Sequence, residues 1–174
     1  GDNGMQQIQR ETGKEMGMKV AFIGLGVMGY PMAGHLKNVG MDVCVYNRSG
    51  EKASKWCQQY GGEMAASPAA AAQQCEVVLT CVGNDDDVRQ VILGSSGALA
   101  GMDAGATLVD HTTASASLAR ELASIATEQQ KNFLDAPVSG GQAGAENGTL
   151  TVMAGGEPVV YAAVKPVLDS YSKF

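Results

Sequence analysis

Three glycines spaced as Gly24-Leu25-Gly26-Val27-Met28-Gly29 are the residues with the clearest chemical use in this chain of 174. A glycine turn that follows a strand and opens a helix can seat a pyrophosphate. The first glycine permits the tight turn, the second lets the backbone approach the phosphates, and the third lets the helix pack close to the strand. The helix N-terminus adds N–H donors and the positive end of its dipole. In a sequence with 23 glycines the spacing alone is weak, and its placement gives it weight: Lys19 to Ile23 reads as a strand before it, and Val27 to Val39 as a helix after it.

A site specific for NAD would carry a carboxylate about 20 residues farther on, to grip the ribose 2′-hydroxyl. The sequence has Asn47-Arg48-Ser49 instead. The planar guanidinium fork of Arg48 suits a 2′-phosphate, and the Asn47 amide and Ser49 hydroxyl can add hydrogen bonds. NADP(H) is therefore expected ahead of NAD(H). Other chemistry-bearing residues have plainer uses. Asn84-Asp85-Asp86-Asp87 reads as the capped, acidic first turn of a helix rather than a metal site, and no metal ligand set is expected. His111, at a strand end, is the tempting acid–base group but is expected to be packed or hydrogen-bonded, and His35, on the first helix, to be inert.

These residues need a frame, and the hydrophobic pattern supplies one. Short apolar runs alternate with helical patterns: a strand at Asp42 to Tyr46, a helix at Glu51 to Tyr60, and a helix start at Ser67-Pro68. Then come a doubly apolar strand at Val77 to Val82, a strand at Thr107 to Asp110, a helix at Ser115 to Gln130 and a strand at Phe133 to Ala136. A Gly-rich loop (Ser139 to Gly148), a strand (Leu150 to Met153) and a helix entered by Glu157-Pro158 complete the chain. Such alternation predicts an α/β fold: a Rossmann-like, doubly wound, mostly parallel sheet in a single domain over residues 18–174. Residues 1–17 are polar and mixed in charge, without the apolar centre of a signal peptide, and are expected to be a disordered extension or an expression remnant.

Composition narrows the partners. A net charge of -6 and a pI near 4.8 lack the electrostatic footprint that draws a protein to nucleic acid or an anionic membrane. No apolar run reaches membrane-spanning length, and no Gly-Lys-Ser/Thr follows the glycine turn, which argues against phosphoryl transfer. Cys44, Cys57, Cys75 and Cys81 form no CxxC pair and are expected to be free thiols in a reducing, cytoplasmic setting.

The fifteen residues from Lys19 to Ala33, KVAFIGLGVMGYPMA, resemble the opening signature of the β-hydroxyacid dehydrogenases. That family includes 3-hydroxyisobutyrate dehydrogenases, tartronate semialdehyde reductases and 6-phosphogluconate dehydrogenases. A second block, DAPVSGG from Asp135 to Gly141, followed by GTLTVM from Gly148 to Met153 and by Gly155-Gly156, is similar to the family's substrate-binding signature. The resemblance implies that Ser139, Gly140 and Gly141 bind the substrate, that Cys81, Val82 and Gly83 line the cofactor after the strand that precedes them, and that Thr113 contacts its nicotinamide side. It also implies a catalytic lysine, with an asparagine one turn later, on a helix beyond this domain, and a helical domain that completes the substrate site and most of a dimer. No such Gly-x-x-x-Lys-x-x-Asn pattern occurs before Phe174, and Lys165 and Lys173 read as solvated surface.

The resulting expectation is the NADP(H)-binding part of an oxidoreductase that interconverts a small 3-hydroxy acid and its 3-oxo acid or semialdehyde, with residues 1–174 inactive alone. The alternative is a non-catalytic module that senses NAD(P)(H) or scaffolds a partner. The intact Ser139-Gly140-Gly141 segment favours the enzyme, since a cofactor sensor has no need of a substrate loop.

Overall fold

The computed structural model describes residues 18–173, so the expectation for the first 17 residues lies outside the described part. Six strands form one sheet: β1 (Lys19–Ile23), β2 (Asp42–Tyr46), β3 (Glu63–Met64), β4 (Val77–Thr80), β5 (Thr107–Asp110) and β6 (Asn132–Asp135). Their order is β3-β2-β1-β4-β5-β6 and every pairing is parallel. The chain therefore winds outward twice from the centre, and the order reverses between β1 and β4. Ligands in such sheets bind beyond the carboxyl ends of the strands at that reversal.

Parallel strands need both faces covered, and this sequence covers them. Along β1, Val20 and Phe22 enter one core with Met32, Leu36, Trp56 and Val167, while Ala21 and Ile23 enter the other with Val88, Ile92, Leu118 and Leu122. The first layer holds α1 (Gly29–Asn38), α2 (Gly50–Tyr60) and α8 (Pro158–Leu168). The second holds α3 (Pro68–Ala72), α4 (Asp85–Ile92), α5 (Ala98–Gly101) and α6 (Ala116–Glu128). Helix starts follow the caps legible in the sequence. Ser67 Oγ accepts from Ala70 N–H, Asn84 Oδ1 from Asp87 N–H and Ser115 Oγ from Leu118 N–H. Asp85 reaches across to accept from Ser115 N–H at 2.9 Å, and hydrogen bonding to the Ser115 side chain and backbone lowers its carboxyl below the usual value.

Two short elements, β3 and α5, escape the sequence pattern because two and four residues cannot show a period. A larger correction concerns the segment read as a Gly-rich loop. It contains β7 (Val138–Ser139) and a helix, α7 (Gly141–Asn147), and the expected strand at Leu150 to Met153 shortens to β8 (Thr151–Val152). β7 and β8 pair antiparallel as a separate two-stranded sheet. Glycine disfavours helix in isolation. Here the small residues serve packing: a Cβ at Gly144 would come within 3.1 Å of the buried Leu150 side chain.

Candidate cofactor site

The glycine turn is shaped by what a side chain would strike. Gly24 takes φ +102°, and a Cβ there would lie 2.1 Å from the Cys81 carbonyl oxygen on the neighbouring strand end. At Gly29 a Cβ would lie 2.0 Å from the Gly24 carbonyl oxygen, so the start of α1 presses against the turn itself. Gly26 is the opposite case. Its Cβ would meet no atom within 4 Å, because this glycine faces an open cleft. Among the described residues no side chain caps α1; Tyr30 N–H donates to the Gly26 carbonyl, Pro31 has no N–H and Met32 N–H donates to the Met28 carbonyl, so a ligand meets the backbone N–H groups that precede Tyr30.

The cleft, of about 720 Å³, lies over the carboxyl ends of β1, β2 and β4. That volume falls within the usual range for small-molecule and cofactor sites. Gly24, Gly26, Met28, Gly29, Asn47, Arg48, Cys81, Val82 and Gly83 all line it. Arg48 is exposed at the end of β2, and among the described residues no carboxylate pairs with it. Asn47 has a different task from the one expected. Its Oδ1 accepts from Leu25 N–H at 2.9 Å and its Nδ2 donates to the Ser49 carbonyl at 3.2 Å, so the amide braces the glycine turn against β2.

Three expected residues do not line the cleft. Val27 points outward at 62% exposure, Ser49 sits exposed at the start of α2, and Thr113 is exposed beyond the end of β5. The cleft also takes in residues that the sequence reading missed. Asp87, Gln90 and Val91 come from one face of α4, and Ser67 and Pro68 from the start of α3. Their i, i+3, i+4 spacing on α4 marks a common face, but nothing in the sequence says that this face meets a cavity rather than core.

Ser139, Gly140 and Gly141 stand apart from the cleft, exposed, where β7 turns into α7 with φ of +129° and +63° at the two glycines. The helix they open is tied to the cofactor helix. His35, on α1, places Nε2 at 2.8 Å from the Ala145 carbonyl and 3.0 Å from that of Glu146. Carbonyls only accept, so Nε2 carries the proton and donates to both. The residue expected to be inert thus joins two parts of the molecule.

His111 is closed to chemistry. It is 2% exposed, its Nδ1–H donates to the Ala136 carbonyl at 2.6 Å, and its Nε2 accepts from the Tyr171 hydroxyl. Burial pushes its pKa down to about 4, so it stays neutral at physiological pH. The cysteines are unpaired, with Cys44 and Cys75 buried and Cys57 and Cys81 half-buried. Cys81 lines the cleft, yet burial and the nearby Asp110 push its thiol up to about 12, which leaves no thiolate nucleophile. Among the described residues no helix is long and apolar enough to cross a membrane.

Comparison with known proteins agrees with this geometry. Residues 19–174 match the family model of the NAD binding domain of 6-phosphogluconate dehydrogenase. An uncharacterized oxidoreductase of Shewanella frigidimarina is 63% identical over 89% of this chain and 53% of its own length. Among solved structures, the 3-hydroxyisobutyrate dehydrogenase of Mycobacterium tuberculosis, solved with L-serine, superposes with a TM-score of 0.82 at 31% identity, over 89% of this chain and 52% of that one. Psf3, solved with NADP+ and 2-OPP, gives 0.83 at 32% identity, over 88% and 54%. The chain thus spans about half the length of the relatives it matches. From the glycine turn, the strand order and the match over residues 19–174, the chain belongs to the family of the NAD-binding domain of 6-phosphogluconate dehydrogenase, shared with 3-hydroxyisobutyrate dehydrogenases and related oxidoreductases.

Proposed function

We propose that the cleft binds NADP(H) in preference to NAD(H), as the cofactor half of a cytoplasmic enzyme that interconverts a small 3-hydroxy acid and its 3-oxo acid or semialdehyde. The carrying observation is Arg48, which lines the cleft without a carboxylate partner among the described residues, where a carboxylate for the ribose hydroxyl would otherwise stand. The cofactor supplies or accepts the hydride. This chain's residues hold it: the uncapped start of α1 and Gly26 take the pyrophosphate, and the strand end Cys81-Val82-Gly83 forms the adjoining wall. Ser139, Gly140 and Gly141 are the groups proposed to take the substrate, through backbone N–H groups and a small hydroxyl.

In this reading the group that moves the hydroxyl proton is a lysine outside residues 1–174. General acid–base help is worth about 10²–10⁴-fold, so these residues alone bind cofactor without family-like turnover. Titration with NADPH and NADH tests the reading. NADPH binds more tightly, and Arg48→Ala raises its Kd about tenfold while leaving that of NADH within about twofold. Equal affinities in the wild type overturn the NADP(H) preference, and binding of neither overturns the cofactor site. Turnover of 3-hydroxyisobutyrate by residues 1–174 at a rate typical of the family overturns the assignment of proton transfer elsewhere.

A further inference from the structure

From the last residue of β5 onward the chain buries three polar side chains in a row. Asp110, His111 and Thr112 are 0%, 2% and 4% exposed. Burying polar groups is costly unless they are hydrogen-bonded, so their partners show what they are for. Asp110 Oδ1 accepts from Thr80 Oγ1–H at 2.8 Å and from Thr112 N–H at 3.0 Å. Thr112 Oγ1 in turn accepts from Val82 N–H at 3.0 Å. The connection Thr80, Asp110, Thr112, Val82 clasps the end of β4 on both sides of Cys81.

The clasp sits where the sheet's own hydrogen bonds run out. Cys81 N–H still donates to the Ile23 carbonyl, and His111 N–H to that of Thr80. Val82 N–H is the next donor past the end of the ladder, and the Thr112 hydroxyl is what receives it. Cys81 is also the backbone against which Gly24 packs, so the seating of the glycine turn against the adjoining wall depends on how residues 81–83 are held. Neither Asp110 nor Thr112 lines the cleft. Asp110 Oδ2, moreover, is sealed from solvent and has no hydrogen-bond partner among the described residues. A buried carboxylate left half-satisfied is a poor device for stability, and its other oxygen shows a better use.

We propose that Asp110 and Thr112 are positioning residues of the dinucleotide site. They fix the Cys81-Val82-Gly83 wall against the glycine turn, and so set cofactor affinity without touching the cofactor. The inference rests on the reading that the cleft takes a nicotinamide dinucleotide.

The test uses Thr112→Val, which keeps the shape and removes the acceptor, and Thr112→Ser, which keeps the acceptor. NADPH Kd is measured at a temperature where far-UV and near-UV circular dichroism show each protein fully folded. Thr112→Val raises the Kd about tenfold and Thr112→Ser stays within about twofold of wild type. A merely structural threonine would lower the unfolding midpoint and leave the Kd of the folded protein unchanged, which overturns the proposal. So does a Thr112→Ser protein as weak as Thr112→Val. Wild type that binds neither NADPH nor NADH removes the cofactor reading and this inference together, an outcome distinct from tight binding by both variants. Amide exchange in the unliganded wild type is a check that needs no variant. Val82 N–H is protected, and NADPH slows its exchange further; a freely exchanging Val82 overturns the clasp.

Discussion

The carboxyl ends of β1 and β5 lie in the same sheet and are built by opposite means. At the end of β1 side chains are removed: Gly24 and Gly29 bring backbone against backbone, and Gly26 leaves open space. At the end of β5 polar side chains are added and buried, each spent on a named partner at or just past the ends of β4 and β6, or on Tyr171. The first arrangement makes room for a ligand, and the second holds the walls of that room in place. A strand end can therefore serve a binding site by emptiness or by internal tethering, and substitutions should tell the two apart.

The largest effect is expected at Gly29. An alanine methyl would lie 2.0 Å from the Gly24 carbonyl oxygen, a backbone atom that cannot swing away, and 3.0 Å from the buried Phe22 ring, so Gly29→Ala should cost at least about 3 kcal/mol in urea unfolding or prevent folding. Gly26→Ala should do the reverse. Its methyl meets no protein atom, so stability stays within about 0.5 kcal/mol while NADPH affinity falls about tenfold, because the ligand needs that space. Equal destabilisation by the two substitutions would break the distinction between a packing glycine and a ligand-facing one.

At the β5 end the expected signature is a dependence on pH. His111 titrates near 4 in the folded protein against an ordinary value of 6.5. Between those values the unfolded chain takes up a proton that the native state refuses, so stability falls as pH drops through the window and levels off below it. The loss is about 3 kcal/mol. Burial raises the carboxyls of Asp110 and Asp135, which therefore favour the folded state as they protonate and oppose the trend. The clean quantity is the difference between wild type and His111→Gln, measured by urea unfolding from pH 7 to pH 4. The variant should lose about 3 kcal/mol less than wild type, and parallel curves would refute a neutral, buried His111.

The same two regions show what a sequence can and cannot reveal. The β1 end was legible because its function lies in residue identity at fixed local spacing: a strand, three glycines and a helix are contiguous, and Asn47 with Arg48 closes the next strand. Ser67, Asn84 and Ser115 were legible for a similar reason, since a cap bonds within its own first turn. The β5 tethers join residues about 25 to 60 positions apart, and no local pattern pairs Thr112 with Val82 or His111 with Tyr171. The Asp87, Gln90 and Val91 face was hidden similarly, because an amphipathic pattern does not say what the face meets. α7 was misread because glycine-rich composition favours a loop until Leu150 is seen packing against it.

His35 connects the glycine-made region to the segment that carries Ser139, Gly140 and Gly141, and gives the smallest expected effect. Its Nε2 proton is shared between the Glu146 carbonyl, in the last turn of α7, and the Ala145 carbonyl, which also accepts from Gly148 N–H. A seven-residue helix has little stability of its own, so this external donor should count for more there than in a long helix. His35→Ala should cost about 1 kcal/mol overall. The loss should appear locally, as faster amide exchange at Gly144, Gly148 and Thr149, whose N–H groups bond within the α7 turn, while amides in the middle of α1 keep their protection. Equal acceleration in both helices would mean that His35 stabilises the whole layer rather than pinning α7 onto the cofactor helix, and the Ser139 to Gly141 segment would then be positioned by the β7–β8 pair alone.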